Sequence, residues 1–273
     1  MKVGIIGTGN MGTILSEALL DGKAASPSDL IVVNRTRAKA ERLKHKFTGI
    51  MVANSIQEVI KHSNLIFLCV KPNDIFPLVK DNNALFKAEQ CLVSITSPIT
   101  TDWLENITPC SCARIIPSIT NRALSGATLV TFGKKCESHW QKKLIDMFSA
   151  ISLPMIIDDK ITRVASDIVS CGPAFFSYMT RRFIEATVAD TNIDEETATK
   201  LSEHMLIGLG DLLKKRFYSL PTLEEKVCVK GGITGEGIKV LEKELDGVFE
   251  KLLQATHRKF DDEVKHLEKV FNP

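Results

Sequence analysis

The sequence predicts an α/β domain built on a parallel sheet, followed by an all-α domain. Three observations carry this reading. Short β-branched runs alternate with helical stripes as far as Ile157; a glycine-rich turn follows the first run directly; and from Ile161 onward only helical periodicity remains. The boundary falls near Asp158, giving expected domains of residues 1–158 and 159–273.

The first run, residues 3–6, has the β-branched composition of a strand covered on both faces. It leads into Gly7, Gly9 and Gly12, spaced G-x-G-x-x-G, and then into a helical stripe of Ile14, Leu15, Ala18 and Leu19 that stops at Asp21-Gly22. Each glycine answers a separate demand. Gly7 permits a tight turn, Gly9 lets the backbone approach a pyrophosphate, and Gly12 lets the helix pack close to the strand. The helix N-terminus then offers free N–H groups to phosphate. Three glycines in six residues also occur in ordinary loops, but strand, turn, helix and second strand follow here in the order that a Rossmann-like dinucleotide site requires.

The second run, residues 30–33, ends in Asn34-Arg35-Thr36-Arg37. An acidic residue at this strand end would accept hydrogen bonds from a ribose 2′-hydroxyl, whereas an arginine favours a 2′-phosphate. No acid is present. Arg35, directly beside Asn34, therefore predicts NADP(H), while Arg37 reads as part of the wet face of a helix over residues 36–46.

A short strand near residues 50–52 precedes a helix with Ile56, Val59 and Ile60 on one face. Residues 65–70 read as a central strand ended by Lys71-Pro72, whose proline turns the chain outward. Ligands of such sheets lie beyond the carboxyl ends of the strands, which makes Val70, Lys71 and Pro72 candidate cofactor-wall residues. Strands at 91–95, 113–116, 128–132 and 153–157, the last two separated by a helix at 137–148, bring the sheet to seven or eight strands. Helices are expected at 173–190, 194–216, 223–228 and 236–271, the last with a break near Asp246-Gly247. Their broad apolar faces, such as Leu206, Leu209, Leu212 and Leu213, fit burial either against a second subunit or within a compact monomeric bundle.

With 273 residues, 44% hydrophobic and 25% charged, the chain is globular and has room for two modest domains. A net charge of +2 without a long block of like charge gives no reason to expect nucleic acid as a partner. The longest wholly apolar run, residues 65–70, falls far short of the roughly 20 residues that span a bilayer, so no membrane segment is expected. The N-terminal apolar run is broken at once by Gly7, Thr8, Gly9 and Asn10, and reads as a strand rather than a secretory leader. Seven cysteines, an odd number with no C-x-x-C pair, read as reduced thiols of a cytoplasmic protein. The six histidines lack metal-ligand spacing, and no metal is expected.

Several segments, in order, resemble the pyrroline-5-carboxylate reductase family. They are IIGTGNMG at the N-terminus, Asn34-Arg35-Thr36, Val70-Lys71-Pro72, Arg114-Ile115-Ile116-Pro117, Ser-Cys-Gly-Pro-Ala from Ser170 to Ala174, and Gly-Gly-Ile-Thr-Gly-Glu-Gly from Gly231 to Gly237. The resemblance covers nearly the whole chain. It implies a Rossmann-like domain, a helical C-terminal dimerisation domain in a homodimer, and NADPH- or NADH-dependent reduction of a cyclic imine to proline. It also implies cofactor contacts at Gly7, Thr8, Gly9, Asn10, Met11, Asn34, Arg35, Thr36, Asn54, Val70, Lys71 and Pro72. The family's substrate loop, usually Ser-Pro-Gly-Gly-Thr-Thr, falls on Val229, Lys230, Gly231, Gly232, Ile233 and Thr234. By itself, a Gly-Gly pair before a helix exposes backbone N–H groups suited to a carboxylate, and Thr234 would offer a hydroxyl near the imine nitrogen. The same pair is also an ordinary helix-to-helix turn.

The departures from the family pattern cluster on the substrate side. Val229 and Lys230 replace Ser-Pro, Ile233 replaces the first Thr, Ser118 stands where Asn commonly follows Pro117, and Ser97-Pro98 stands where Ala-Gly is frequent. Two further readings therefore stay open beside pyrroline-5-carboxylate reduction: a regulatory relative that binds NADP(H) without efficient turnover, and a reductase for a different imine.

Overall fold

The computed structural model describes residues 1–271. Strands β1 (Val3–Ile6), β2 (Leu30–Val33), β3 (Met51–Val52), β4 (Leu65–Leu68), β5 (Cys91–Ser94), β6 (Ser111–Ile116), β7 (Ala127–Phe132) and β8 (Leu153–Ile156) form a single sheet in the order β3-β2-β1-β4-β5-β6-β7-β8. Every pairing is parallel except β6 with β7, which is antiparallel. The first five strands in chain order are those of a doubly wound sheet. Strand order reverses at β1, which lies between β2 and β4, and ligands of such sheets sit at that reversal.

Between the strands run α1 (Asn10–Asp21), α2 (Arg37–Lys46), α3 (Ile56–His62), α4 (Pro72–Asp81), α5 (Thr101–Ile107) and α6 (Ser138–Ser149). They cover both faces of the sheet. Ile5, Leu15, Leu19, Val32, Phe67 and Phe148 belong to one buried cluster, and Ile6, Ile31, Val59, Ile66, Leu68 and Val79 to another. Each central strand thus buries alternate side chains on opposite faces, which is why β1, β2 and β4 read as continuous apolar runs.

After the sheet come α7 (Thr162–Ser166), a π-turn over Asp167–Cys171, α8 (Gly172–Asp190), α9 (Glu195–Lys214), α10 (Leu220–Val227), α11 (Ile233–Glu244) and α12 (Val248–Phe271). The break expected near Asp246-Gly247 is where Gly247 adopts φ +70, between α11 and α12. Two compact units divide the chain. One holds Met1–Pro173 together with the chain from Thr256 onward, and the other is Ala174–Ala255. The first unit therefore runs past Asp158 and takes back the end of α12. The cause is aromatic packing: Phe271 stacks on Trp103 at 5.0 Å and meets Phe76 edge-on at 4.9 Å, and Leu267 is fully buried in the same cluster.

In the second unit several large apolar side chains are uncovered within the chain. Phe176, Phe183, Leu201, Met205 and Ile207 are each more than half exposed, and Leu206 is also exposed. Of the face named from the sequence, Leu206 is exposed, whereas Leu209, Leu212 and Leu213 are half-buried within the chain. Among the described residues, no helix is long and apolar enough to cross a membrane, and no group of three or more His, Cys, Asp and Glu is placed to hold a metal ion.

Candidate active site

Parallel register brings the candidate cofactor residues to one edge of the first unit. Ile6 pairs with Val33 on one side and with Leu68 on the other, so the chain leaves β1, β2 and β4 at the same level. Gly7 donates its N–H to Val33 O at 2.8 Å, and Cys69 donates to Ile6 O at 2.8 Å, extending the pairing one residue beyond each strand. The three loops at this edge then carry Gly7 to Met11, Asn34 to Thr36, and Val70 to Pro72.

The glycine turn can be tested position by position. Gly7 has φ +103, a left-handed conformation, and a Cβ there would lie 2.4 Å from Cys69 O. A Cβ on Gly12 would lie 1.9 Å from Gly7 O, so only glycine lets α1 start this close to the turn. Gly9 differs from both: its φ is −75 and nothing lies within 4 Å of its Cβ position. The space beside Gly9 is open, as an approaching pyrophosphate requires. No side chain caps α1, which leaves its first-turn N–H groups to solvent or ligand. Thr8 Oγ1 is buried with no hydrogen-bond partner among the described residues.

Asn34 ties two of the loops together. Its Oδ1 accepts from Thr8 N–H at 2.9 Å, and its Nδ2 donates to Thr36 O at 3.0 Å. It therefore holds the glycine turn against the strand end that carries Arg35. Arg35 is exposed and makes no ion pair among the described residues, so its guanidinium is available to an incoming anion. Arg37 does more than line a wet face: it pairs with Glu41 at 3.0 Å and donates to Asn54 Oδ1 at 2.7 Å. Asn54 is thus engaged through its side-chain oxygen, and its backbone N–H donates to Glu58 at 2.7 Å. Lys71 is exposed and Pro72 occupies the first position of α4.

A cleft of about 460 Å³ opens between α1 and α2, lined by Thr8, Gly9, Asn10 and Thr13 on one side and Lys39, Arg42 and Lys46 on the other. Lys39 and Arg42 were not among the residues singled out from the sequence. The signal was there, since both lie within two helical turns of Arg35, but a lysine-rich helix hides which basic residues face the glycine turn. Glu17 also lines the cleft and pairs with Lys46 at 2.6 Å, which leaves Lys39 and Arg42 as the basic groups that, with the open Gly9 and the uncapped helix N-terminus, fit a dinucleotide bearing an extra phosphate.

Beyond the sheet, within the same unit, Asp167 is buried and gathers three neighbours. Arg163 pairs with Oδ1 at 2.7 Å, Thr256 Oγ1 donates to Oδ2 at 2.9 Å, and His257 Nε2 lies 3.3 Å from Oδ2 without a hydrogen bond to it. Two stretches far apart in sequence are joined at one carboxylate. The adjoining π-turn is pinned to the end of β6, with Ser118 Oγ donating to Val169 O at 2.7 Å and Ser170 Oγ to Pro117 O at 3.3 Å. Ser118, the departure from the family's Asn, thus has a packing role, and π-turns of this kind are frequent beside functional sites.

In the second unit, Val229 to Gly232 forms a turn closed by Gly232 N–H donating to Val229 O at 2.9 Å, with Gly231 at φ +76 in its third position. This corrects one expectation. The Gly232 amide is consumed by the turn and is not offered to a ligand. The amides of Ile233, Thr234 and Gly235, in the first turn of α11, are the ones left without helical partners, and no side chain caps them. Thr234 is exposed, Val229 is 64% exposed and Ile233 is 93% exposed. A Cβ on Gly232 would lie 2.8 Å from the exposed Val229 side chain and 3.0 Å from Val229 O, a tight fit that rotation of Val229 relieves in part.

Fold and cofactor edge together define the class of protein: an NADP-linked oxidoreductase with a helical C-terminal region. The comparisons sharpen it. Residues 2–98 match a family described as NADP oxidoreductase, coenzyme F420-dependent, and residues 159–262 match pyrroline-5-carboxylate reductase dimerisation. The chain is 47% identical over 272 residues to ComE operon protein 4 of Bacillus subtilis (strain 168), covering 100% of both chains. It is 27% identical over 262 residues to pyrroline-5-carboxylate reductase 3 of the same organism, covering 95% of this chain and 96% of that one. The chain belongs to the pyrroline-5-carboxylate reductase family.

Solved structures agree in fold. The Plasmodium falciparum pyrroline carboxylate reductase with NADP bound superposes with a TM-score of 0.82 at 21% identity, covering 98% of each chain. The Streptococcus pyogenes 1-pyrroline-5-carboxylate reductase gives 0.83 at 22%, covering 96% of this chain and 98% of that one.

Proposed function

We propose that the protein reduces the cyclic imine pyrroline-5-carboxylate to proline with NADPH, as a homodimer. The observation that carries the reading is the level ending of β1, β2 and β4, which gathers the glycine turn, Asn34 to Thr36, and Val70 to Pro72 at one edge. In this reading Gly7 to Met11 hold the pyrophosphate, Arg35 and Lys39 face the 2′-phosphate, and Val70, Lys71 and Pro72 wall the nicotinamide half, with Asn54 at the rim. Bound NADPH supplies the hydride that adds to the imine carbon, while the C=N electron pair passes to a nitrogen that carries a proton. The chain's own work is to position and to solvate. Amides in the first turn of α11, beside Gly231 and Gly232, hold the carboxylate, Val229 and Ile233 flank it, and the Thr234 hydroxyl is the catalytic hydrogen-bonding group at the nitrogen. Aligning the reactants and meeting the changing charge on nitrogen supply most of what such a transfer needs.

Support for the homodimer comes from the match of residues 159–262 to the dimerisation family and from the uncovered apolar side chains of α8, α9 and α11. The test is initial rates with pyrroline-5-carboxylate and each of NADPH and NADH, read as loss of reduced-cofactor absorbance. Turnover with a clear NADPH preference is expected. Tight NADPH binding without turnover would instead favour the regulatory reading, which the altered loop at Val229, Lys230 and Ile233 motivates.

A further inference from the structure

Arg114 lies in β6, and its charged side chain is only 3% exposed. Desolvating a guanidinium is costly, and an apolar residue of similar volume often fills such a place at least as stably. Its Nε is buried with no hydrogen-bond partner among the described residues, which adds to that cost. Stability alone does not call for an arginine here. The guanidinium instead joins three separate segments of the first unit. Nη1 donates to Ser97 O at 3.1 Å, while Nη2 donates to Thr131 Oγ1 at 3.2 Å and Thr162 Oγ1 at 2.6 Å and pairs with Asp159.

The Ser97 contact reaches the cofactor edge. β4 and β5 pair in parallel with Leu68 opposite Ser94, and Ile95 N–H donates to Leu68 O at 3.5 Å, so the two chains leave the sheet side by side. The loop from Ile95 to Pro98 therefore flanks Val70 to Pro72. Its near end is closed locally, with Thr96 N–H donating to Ser94 Oγ at 3.2 Å. Arg114 supplies the second hold, at the Ser97 carbonyl.

We infer that Arg114 is a positioning residue for the nicotinamide end of the cofactor site: its guanidinium fixes the Ser97 carbonyl, and with it the loop that stands beside Val70 to Pro72. The inference rests on the placement of the nicotinamide half proposed above and is independent of which imine is reduced. A planar fork with donors in fixed directions holds the carbonyl and both threonine hydroxyls at once. A lysine ammonium keeps the charge opposite Asp159 but not that geometry.

The test compares two ligands of the full-length protein that share the pyrophosphate and the 2′-phosphate: NADPH, and 2′-phospho-ADP-ribose, which lacks the nicotinamide ring. General damage to the fold weakens both, whereas a displaced Ser97 loop weakens only NADPH. Arg114→Lys should lower NADPH affinity about ten-fold and leave 2′-phospho-ADP-ribose within about two-fold. At saturating cofactor, the fluorescence anisotropy of the bound dihydronicotinamide should fall. Thr162→Val, which keeps the side-chain shape and removes one acceptor of Nη2, should give the same split in weaker form, and it carries the test if Arg114→Lys does not fold.

Equal weakening of both ligands, or no change in either, would overturn the inference and leave Arg114 a purely structural residue. Equal affinities of the unmodified protein for the two ligands would take the nicotinamide away from this edge and overturn the site assignment along with the inference. Absence of turnover with pyrroline-5-carboxylate, measured separately, would overturn the imine reductase reading alone.

Discussion

Gly9 and Gly12 sit three residues apart in one motif, and the structure assigns them opposite sensitivities to a single added methyl group. At Gly9 the backbone is at φ −75, which alanine adopts freely, and no atom lies within 4 Å of the new carbon. Gly9→Ala should reduce the entropy of the unfolded chain, stabilising by about 0.4–1 kcal/mol, and should weaken the helix cap by a comparable amount, since alanine caps poorly. The net change in stability is near zero. On the proposed assignment of this open space to the pyrophosphate, NADPH affinity should fall at least about ten-fold, or roughly 1.4 kcal/mol. At Gly12 the added carbon would stand 1.9 Å from Gly7 O, a backbone atom that cannot swing aside. Overpacking of this kind costs roughly 1–3 kcal/mol or more, and at about 2–4 °C per kcal/mol for a domain of this size the melting temperature should drop by several degrees. Thermal unfolding without cofactor, paired with fluorescence titration of NADPH, separates the two. If Gly9→Ala lowered the melting temperature as much as Gly12→Ala, or bound NADPH as the parent does, the assignment of Gly9 to the pyrophosphate would be refuted.

Other perturbations follow from the same geometry. Arg35→Ala combined with Lys39→Ala should raise the KM for NADPH about ten-fold or more while leaving NADH within about two-fold, because only the former carries the 2′-phosphate; steady-state kinetics with both cofactors decides it. Asp167→Asn removes the charge that balances Arg163, and breaking so buried a pair should cost about 3 kcal/mol, read as a lower denaturant midpoint with an unchanged slope. Burial pushes the thiol of Cys112 well up, so mild alkylation of the native protein near neutral pH should spare it, and mass spectrometry should find it labelled only after unfolding. Asp194, which caps α9 by accepting from Thr197 N–H at 2.9 Å and Thr197 Oγ1 at 2.7 Å, is held below its ordinary 3.8 by those bonds. A folded value lower than the unfolded one contributes stability above the unfolded value and loses it as pH falls through the folded one. Helicity of α9 should therefore drop only in acid, and Asp194→Asn should abolish that dependence in a circular dichroism titration.

The cofactor edge was legible because its determinants are local. A strand, three glycines and a basic strand end occupy contiguous residues, and parallel pairing then levels them without further information. What escaped the sequence depends on contacts across long separations. Asp167 meets Thr256 and His257 some ninety residues on, Phe271 returns to Trp103, and nothing in the local pattern of either segment marks the partnership. The antiparallel pairing of β7 with β6 is hidden for the same reason, since both runs read as buried strands in either direction. Lys39 was masked by abundance: among many helix lysines and arginines, only the rotation of α2 decides which one faces the glycine turn.

The substrate loop poses a different problem, because its frame and its side chains carry separate information. The frame follows from backbone rules: a turn with a left-handed third residue wants glycine there, and the close approach of Val229 favours a small residue next to it. Those two demands are met whatever the loop binds, so the Gly-Gly pair marks a shape more firmly than it marks a substrate. Lys230 makes the distinction testable. The second position of such a turn favours proline, which the family commonly has, so Lys230→Pro should stabilise the loop by about 0.4–1 kcal/mol through the unfolded state alone. If lysine stands there for its charge, the same substitution should reduce kcat/KM for carboxylate-bearing imines and leave carboxylate-free imines unchanged. A variant that is more stable and equally active on both kinds of imine would show that the charge has no part in binding.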